Sequence, residues 1–227
     1  MASQTPVSRS QVNRAGRVLR DATQFEVEEI RRSDQILREF RSYHSLPMTK
    51  AAMALRYPAG PQARVSQRLK RYDTILDKLR REPGLELGRM QDIGGCRAVL
   101  PTTAEVFRVV AHYRRSSPLS ARVKRTRDYI TDPKESGYRG VHLIVRYDDR
   151  DIEIQLRSQL QHEWAFTIET FGNRHGFDLK SGEGPLEVTT FFQMVSSLMA
   201  IEESGGVVTS DQQGDLGILR RLALDSL

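Results

Sequence analysis

The chain of 227 residues holds a single cysteine, one tryptophan and no apolar run of membrane-spanning length. A lone thiol, Cys96, cannot close an intramolecular disulfide, which fits a reducing compartment and predicts a cytoplasmic protein with no membrane partner. Residues 1–20, MASQTPVSRSQVNRAGRVLR, lack the apolar stretch of a secretory signal and read as a flexible or docking basic arm. His112, His162 and His175 lack metal-ligand spacing, and no internal repeat is present. These absences exclude a disulfide scaffold, a helical membrane protein and a solenoid.

What is present is a globular composition with unevenly placed charge. Hydrophobic residues make up 38% and charged residues 28%, enough for a core. The net charge of +6, from 35 Lys+Arg against 29 Asp+Glu, is modest. The cations concentrate at Arg64–Arg81 and Arg114–Arg127, which points to a polyanionic ligand. Nucleotide phosphates and RNA both qualify.

Periodicity divides the chain into a basic arm with N-terminal helices (1–60), a core (61–176) and a C-terminal helix with a tail (177–227). Residues 22–44 have apolar positions at helical spacing, and 45–60 form a short helix between Pro and Gly breaks. Residues 62–82 read as one amphipathic helix on the stripe Leu69, Tyr72, Ile75, Leu76 and Leu79. The period then changes. Strands are expected at 93–100, 122–130, 141–147 and 151–157, with a tight hairpin at Asp148-Asp149-Arg150. Thr102 and Ser158 cap two further helices, another covers 187–203, and a loose tail begins at Ser204. The expected fold class is α+β: a small mixed sheet flanked by helices, with extra helices at both ends.

In the segment 151–157, Glu153, Gln155 and Arg157 share one face and three apolar residues share the other. That polar face is either solvated or functional. If Asp92 lies on a neighbouring strand, Asp92 and Glu153 could hold a Mg²⁺ that bridges phosphates, or Glu153 could take a proton from an attacking hydroxyl. Arg71, Thr74 and Lys78 fall on one helical side, and Arg122 and Lys124 form a stripe of charge. The segment DYITDPKESGYRGVH (128–142) sets Tyr138 between Gly137 and Gly140 beside Lys134 and Arg139. Its ring could stack on a base, or it could plug the end of the sheet. His142 could be satisfied in the core or face a phosphate. Trp164 reads as core, and Cys96 sits in an apolar strand that does not suit a nucleophile.

Four segments in order, RLKRYDTILDK (68–78), DIGGCR (92–97), DYITDPKESGYRGVH (128–142) and EIQLRSQLQHEWAFTIE (153–169), resemble the RelA/SpoT nucleotide pyrophosphokinases, specifically the small alarmone synthetases. The resemblance spans about residues 62–175 and implies a nucleotidyltransferase-like fold. It also implies transfer of the β,γ-pyrophosphate of ATP to a ribose 3′-hydroxyl, with Mg²⁺ held by Asp92 and Glu153 as the catalytic carboxylates. By the same carry-over, Arg68, Lys70, Arg71, Lys78 and Arg97 bind ATP. Lys134, Tyr138, Arg139, His142, Gln155 and Arg157 line the acceptor side, with Tyr138 stacking on its base.

This chain departs from the pattern at Gly140-Val141, Ser158 and Thr170, which bears on acceptor choice and leaves the carboxylates alone. No hydrolase domain is expected in the first 60 residues. The flanks VNRAGRVL (12–19) and FFQMVSSLMAIEE (191–203) resemble the phage-associated, toxic branch. Some members of that branch modify the 3′-CCA end of tRNA. That implies a tRNA acceptor reached over Arg122, Lys124 and Arg125, and a neutralising antitoxin partner; GDP, GTP or ATP is the alternative acceptor. Members of this type also form homo-oligomers.

Overall fold

The computed structural model describes residues 7–116 and 118–227. In chain order the elements are α1 (Arg9–Arg20), α2 (Val27–Ser42), α3 (Ser45–Ala59), β1 (Arg64–Leu69), α4 (Tyr72–Arg81), β2 (Gly94–Leu100) and α5 (Thr103–Arg115). They continue with α6 (Leu119–Arg122), β3 (Val123–Asp128), β4 (Val141–Tyr147), β5 (Arg150–Ser158), α7 (Gln159–His175), α8 (Leu186–Glu203) and α9 (Ser210–Asp225). The fold is α+β, as the alternating periods predict.

The five strands are ordered β1-β2-β5-β4-β3, with β2 parallel to β5 and every other pair antiparallel. Alternation makes the sheet two-faced. Cys96, Ala98, Leu143, Val145, Ile152 and Ile154 point to one face, which α3 and α5 cover with Ala51, Leu55, Val106 and Val109. The other face is polar. One row across it runs Arg68–Gly95–Glu153–Ile144–Arg125, and the next runs Ser66–Arg97–Gln155–His142–Arg127. Parallel pairing of β2 with β5 sets Gly95 opposite Glu153, with Asp92 three residues earlier, just ahead of β2.

Two smaller clusters frame that polar face. Val12, Leu19, Leu37, Phe40, Ile75, Leu79 and Leu87 join α1, α2 and α4 at one end. Trp164, Ile168, Phe192 and Ala223 join α7, α8 and α9 at the other. Trp164 is core, as expected, and its Nε1–H donates to the Phe192 carbonyl at 2.9 Å.

Two expectations are corrected, and the N-terminal arm takes the docked of its two readings. The stretch 62–82 is not one helix: Arg64–Leu69 is an edge strand, and the helix begins at Tyr72. Only Val65 and Leu69 of that strand face the core, four residues apart, so its spacing mimics a helical turn. The N-terminal arm, from Arg9, is a docked helix: Ser8 and Gln11 form a capping box, and Val12, Ala15, Val18 and Leu19 are buried. Residues 1–6 of that arm lie outside the described residues. The tail after Ser204 holds the sixteen-residue α9, capped by Thr209 and Gln212 and anchored by Ala223.

The β4–β5 hairpin turns on Asp148 and Asp149, at φ 44° and 59°. Both lie in the left-handed region of a primed two-residue turn, which Asp tolerates. Among the described residues no helix is long and apolar enough to cross a membrane.

Candidate active site

A cleft of about 310 Å³ opens on the polar face, lined by Ser66, Arg68, Lys70, Asp92, Arg97 and Glu153 among others. Each of these comes from a short connection or the polar side of a strand, so the sheet's alternation builds the cleft. Lys70 follows β1 and Lys78 projects from α4. Their Nζ atoms lie 3.0 and 3.1 Å from the same oxygen, Oδ2 of Asp92. The other oxygen, Oδ1, is buried and has no hydrogen-bond partner. A buried carboxylate oxygen left bare is costly unless something else occupies that position.

Glu153 is anchored on both oxygens. Oε1 lies 2.9 Å from His142 Nδ1, and Oε2 accepts from Gln155 Nε2 at 2.8 Å. Burial works to raise its pKa, but the hydrogen bond and charge of His142, the hydrogen bond from Gln155 and the charge of Lys78 outweigh it and hold it at about 2. Glu153 is therefore an ionised acceptor at neutral pH. Arg97 donates to Gln155 Oε1 at 3.2 Å, and burial beside Arg157 and Arg68 lowers its pKa. Arg71, exposed, is the N-cap residue of α4.

Two carboxylates with cations around them suit Mg²⁺, which takes one or two protein carboxylates and completes its shell with water and phosphate oxygens. The bare Oδ1 of Asp92 and the ionised Glu153 fit that requirement. Among the described residues there is no cluster of three or more acidic, histidine or cysteine side chains for an all-protein metal cage.

The acceptor-side expectations change more. Tyr138 is no exposed shelf: its ring is 5% exposed, packed with Trp164 and Ala165. The left-handed Gly137, at φ +85°, folds the loop inward so that the ring plugs the sheet end. His142 is buried with both ring nitrogens engaged, Nδ1 by Glu153 and Nε2 by Tyr138 Oη at 2.6 Å, so neither is free for a phosphate. Arg157, also buried, donates from Nε to Tyr138 Oη at 3.1 Å. Arg139 turns away from the cleft, donating to the Ile130 carbonyl and to Ser196 Oγ on α8. Lys134 remains exposed, with Nζ 5.0 Å from the centre of the half-buried Tyr129 ring.

The expected RNA stripe is partly spent within the fold. Lys124 pairs with Asp151 at 3.2 Å, and Arg122 lies over the Tyr147 ring. Arg125 is exposed in the same cross-strand row as Glu153.

Sequence reasoning missed a contact zone after α7. Lys180 pairs with Glu169, and Arg81 reaches Asp178 at 2.9 Å, tying α4 to the segment after α7. Burial pulls the Lys180 pKa down, and Arg157 and Arg97 add to this. Lys180 and Asp178 fall in a stretch with no periodicity, so no signal in the sequence marked them.

Residues 67–180 match the family described as the region found in RelA/SpoT proteins. The chain belongs to the RelA/SpoT family. An uncharacterised Mycobacterium tuberculosis protein is 30% identical over 166 residues, covering 71% of this chain and 53% of its own length. The GTP pyrophosphokinase YjbM of Bacillus subtilis is 35% identical over 147 residues, covering 58% of this chain and 64% of YjbM. The chain spans about half the length of the mycobacterial relatives it matches.

The structure of small alarmone synthetase 1 from B. subtilis bound to its product pppGpp superposes with a TM-score of 0.55 at 24% identity, over 79% of this chain and 94% of the synthetase. A GTP pyrophosphokinase family protein from Streptococcus pneumoniae gives 0.56 at 22% identity, over 81% and 98%. These likenesses show a shared fold. The RelA/SpoT match takes in the cleft residues from Arg68 to Gln155 and the Glu169–Lys180 pair; Ser66, α1, α2, α3, α8 and α9 lie outside it.

Proposed function

We propose that this chain transfers the β,γ-pyrophosphate of ATP to the 3′-hydroxyl of a guanosine nucleotide. One observation carries the reading: Asp92, with a bare buried oxygen, and ionised Glu153 line one cleft with Arg68, Lys70 and Arg97. In the reaction the acceptor 3′-oxygen bonds to the β-phosphorus while the bridge to the α-phosphate breaks, AMP leaves, and the hydroxyl proton passes to solvent water. Such transfers need positioning and cationic stabilisation more than covalent help from the protein.

Asp92 and Glu153 would hold Mg²⁺, which, when bound, neutralises charge developing on the phosphates. Arg68, Arg71 and Arg97 take phosphate oxygens of ATP. Lys70 and Lys78 orient Asp92 and meet the same phosphates. A carboxyl with so low a pKa is a weak base, so Glu153 acts by accepting from and orienting the hydroxyl rather than by storing its proton. Gln155 and Lys134 face the acceptor. The names of the B. subtilis pyrophosphokinase and of the pppGpp-bound synthetase support a guanine acceptor. The lone, buried thiol of Cys96 supports a reducing, cytoplasmic setting.

A second acceptor, the 3′ end of tRNA, is favoured by one feature. The exposed Arg125 and Arg127 extend the polar face beyond Glu153 and His142, along a path an RNA backbone could follow. The neutralising protein partner belongs to this second reading.

Incubation with γ-labelled ATP and Mg²⁺ in the presence of GDP, GTP, ATP or tRNA tests both. Label on GDP or GTP supports the first reading, and label on tRNA alone replaces it with the second. Label on none of them leaves a binding module without transferase activity.

A further inference from the structure

The segment FFQMVSSLMAIEE (191–203) forms most of α8, which lies outside the RelA/SpoT match and stands apart from the residues lining the cleft. Gln193 and Ser196, three residues apart, project from one face of that helix. Both reach the loop between β3 and β4. Gln193 Nε2 donates to the Glu135 carbonyl at 2.7 Å, and Ser196 Oγ donates to the Gly137 carbonyl at 2.5 Å. The Ser196 oxygen also accepts from Arg139 Nε at 3.3 Å, while Arg139 Nη1 donates to the Ile130 carbonyl at 3.0 Å. Arg139 thus joins the two ends of the loop, and Ser196 joins that closure to α8.

The fit around these contacts is close. Ser196 is 4% exposed, and its hydroxyl both donates to the loop and accepts from it. A Cβ on Gly137, at φ +85°, would meet Gln193 Cα and Ser196 Cβ at 3.2 Å and Trp164 Cζ2 at 3.3 Å. The loop backbone therefore rests in the corner between α7 and α8. Next to it the chain closes a turn: Gly137 N–H donates to the Lys134 carbonyl at 2.8 Å, and Lys134 N–H donates to the Tyr138 carbonyl at 3.2 Å. Lys134 and Glu135 are themselves exposed, so the pose of this turn depends on what holds the Glu135 and Gly137 carbonyls.

We propose that α8 belongs to the acceptor site: Gln193 and Ser196 are positioning residues that hold the loop 130–140 in the pose that receives the acceptor nucleotide. They act through the two loop carbonyls, and so on the placement of Lys134 and of the Tyr138 ring against the sheet. A loop ordered in advance spares the acceptor the cost of ordering it, which raises affinity and leaves the transfer step alone. The inference rests on the pyrophosphate-transfer reading, with the acceptor on this side of the cleft.

The test is the double variant Gln193→Met/Ser196→Ala in the full chain, which removes both donors and keeps most of the side-chain bulk. Steady-state transfer to the preferred acceptor should show acceptor KM up about tenfold, with kcat and the KM for ATP within about twofold of the parent. Ser197→Ala is the control: its exposed hydroxyl donates to the Gln193 carbonyl within α8, at 3.0 Å, and its removal should change nothing. Should the double variant melt below the assay temperature, Gln193→Met alone, at a half-buried position, should raise acceptor KM about threefold. An unchanged or lowered acceptor KM, an equal rise in both KM values, or the same effect in Ser197→Ala would each overturn the proposal.

A second measurement stands apart from activity. Hydrogen exchange at the Lys134 and Gly137 amides should be about tenfold faster in the double variant, with the β5 amides of Ile152 and Ile154 unchanged. Parental exchange in the loop would overturn the proposal even if acceptor KM rises. If the parent transfers pyrophosphate to nothing, the transfer reading has failed, and calorimetric titration with GDP decides the role of α8 separately. A GDP site about tenfold weaker in the double variant upholds it. Equal affinity in the two chains, or no GDP site in either, overturns it.

Discussion

Lys78 Nζ lies 3.1 Å from Oδ2 of Asp92, joining α4 to the connection that leads into β2. The pair sets a cation beside the carboxylate that would hold Mg²⁺, where the phosphates of ATP would also arrive. Lys78→Met should therefore raise the KM for ATP about tenfold or more, the loss of one charge-assisted contact. Because the pair is partly exposed, unfolding stability should change by about 1 kcal/mol or less. Calorimetric titration with a non-hydrolysable ATP analogue checks this, and parental affinity in the variant would remove Lys78 from the donor site.

His44 predicts sensitivity to mild acid. Burial lowers its pKa from 6.5 to about 4 while Nδ1 contacts the Phe40 carbonyl at 2.9 Å. Between those values the unfolded chain takes up a proton that the folded chain refuses. Its contribution is thus complete above about pH 6.5 and declines as pH falls toward 4, by up to about 3 kcal/mol. Glu153, depressed from 4.5, acts only below that pH, while His162, also lowered from 6.5 by burial, shares the window with His44. Thermal melts at pH 7.5 and pH 5 should differ clearly in the parent and less in His44→Gln. An equal difference in both would refute the assignment.

Gly172 governs how the segment after α7 packs. A Cβ there would meet the Phe177 carbonyl oxygen at 2.5 Å, and backbone cannot swing aside as a long side chain can. Gly172→Ala should cost about 1–3 kcal/mol, the usual range for overpacking, despite alanine's better helix propensity. It should also loosen the Lys180–Glu169 and Arg81–Asp178 pairs next to it. Chemical denaturation measures the first effect, and a stabilised variant would contradict it.

Arg125 and Arg127 separate the two acceptors. If tRNA is used, replacing both by alanine should weaken it and reduce the slope of log affinity against log salt by about two. Use of GDP should be unchanged. An equal loss with GDP at every salt concentration would tie these arginines to the nucleotide site and remove the RNA path.

Much of the fold was legible because strands buried on one face announce themselves. The alternation through Asp151–Arg157 assigned Glu153, Gln155 and Arg157 to one face, and the hairpin at Asp148-Asp149 carries its own turn chemistry. Edge strand β1 was hidden because its two core-facing residues are four apart and run into the genuine stripe of α4. α9 was hidden by Gly214 and Gly217, which weaken helix propensity, while its burial depends on α8 and not on any local signal. The carboxylates and lysines were found as residue types in order. For Tyr138 the sequence left stacking and plugging both open, since exposure of a ring on a glycine loop is decided by what packs beneath it, here Trp164.

The central claim is that Asp92 and Glu153 together hold a divalent cation in the cleft. Mn²⁺ is a spectroscopic stand-in for Mg²⁺, and its binding in the presence of a non-hydrolysable ATP analogue can be read by electron paramagnetic resonance on the parent, Asp92→Asn and Glu153→Gln chains. The account predicts one tight site in the parent and a loss of at least tenfold in affinity in each variant, with the fold intact by circular dichroism. Parental affinity in both folded variants would contradict it.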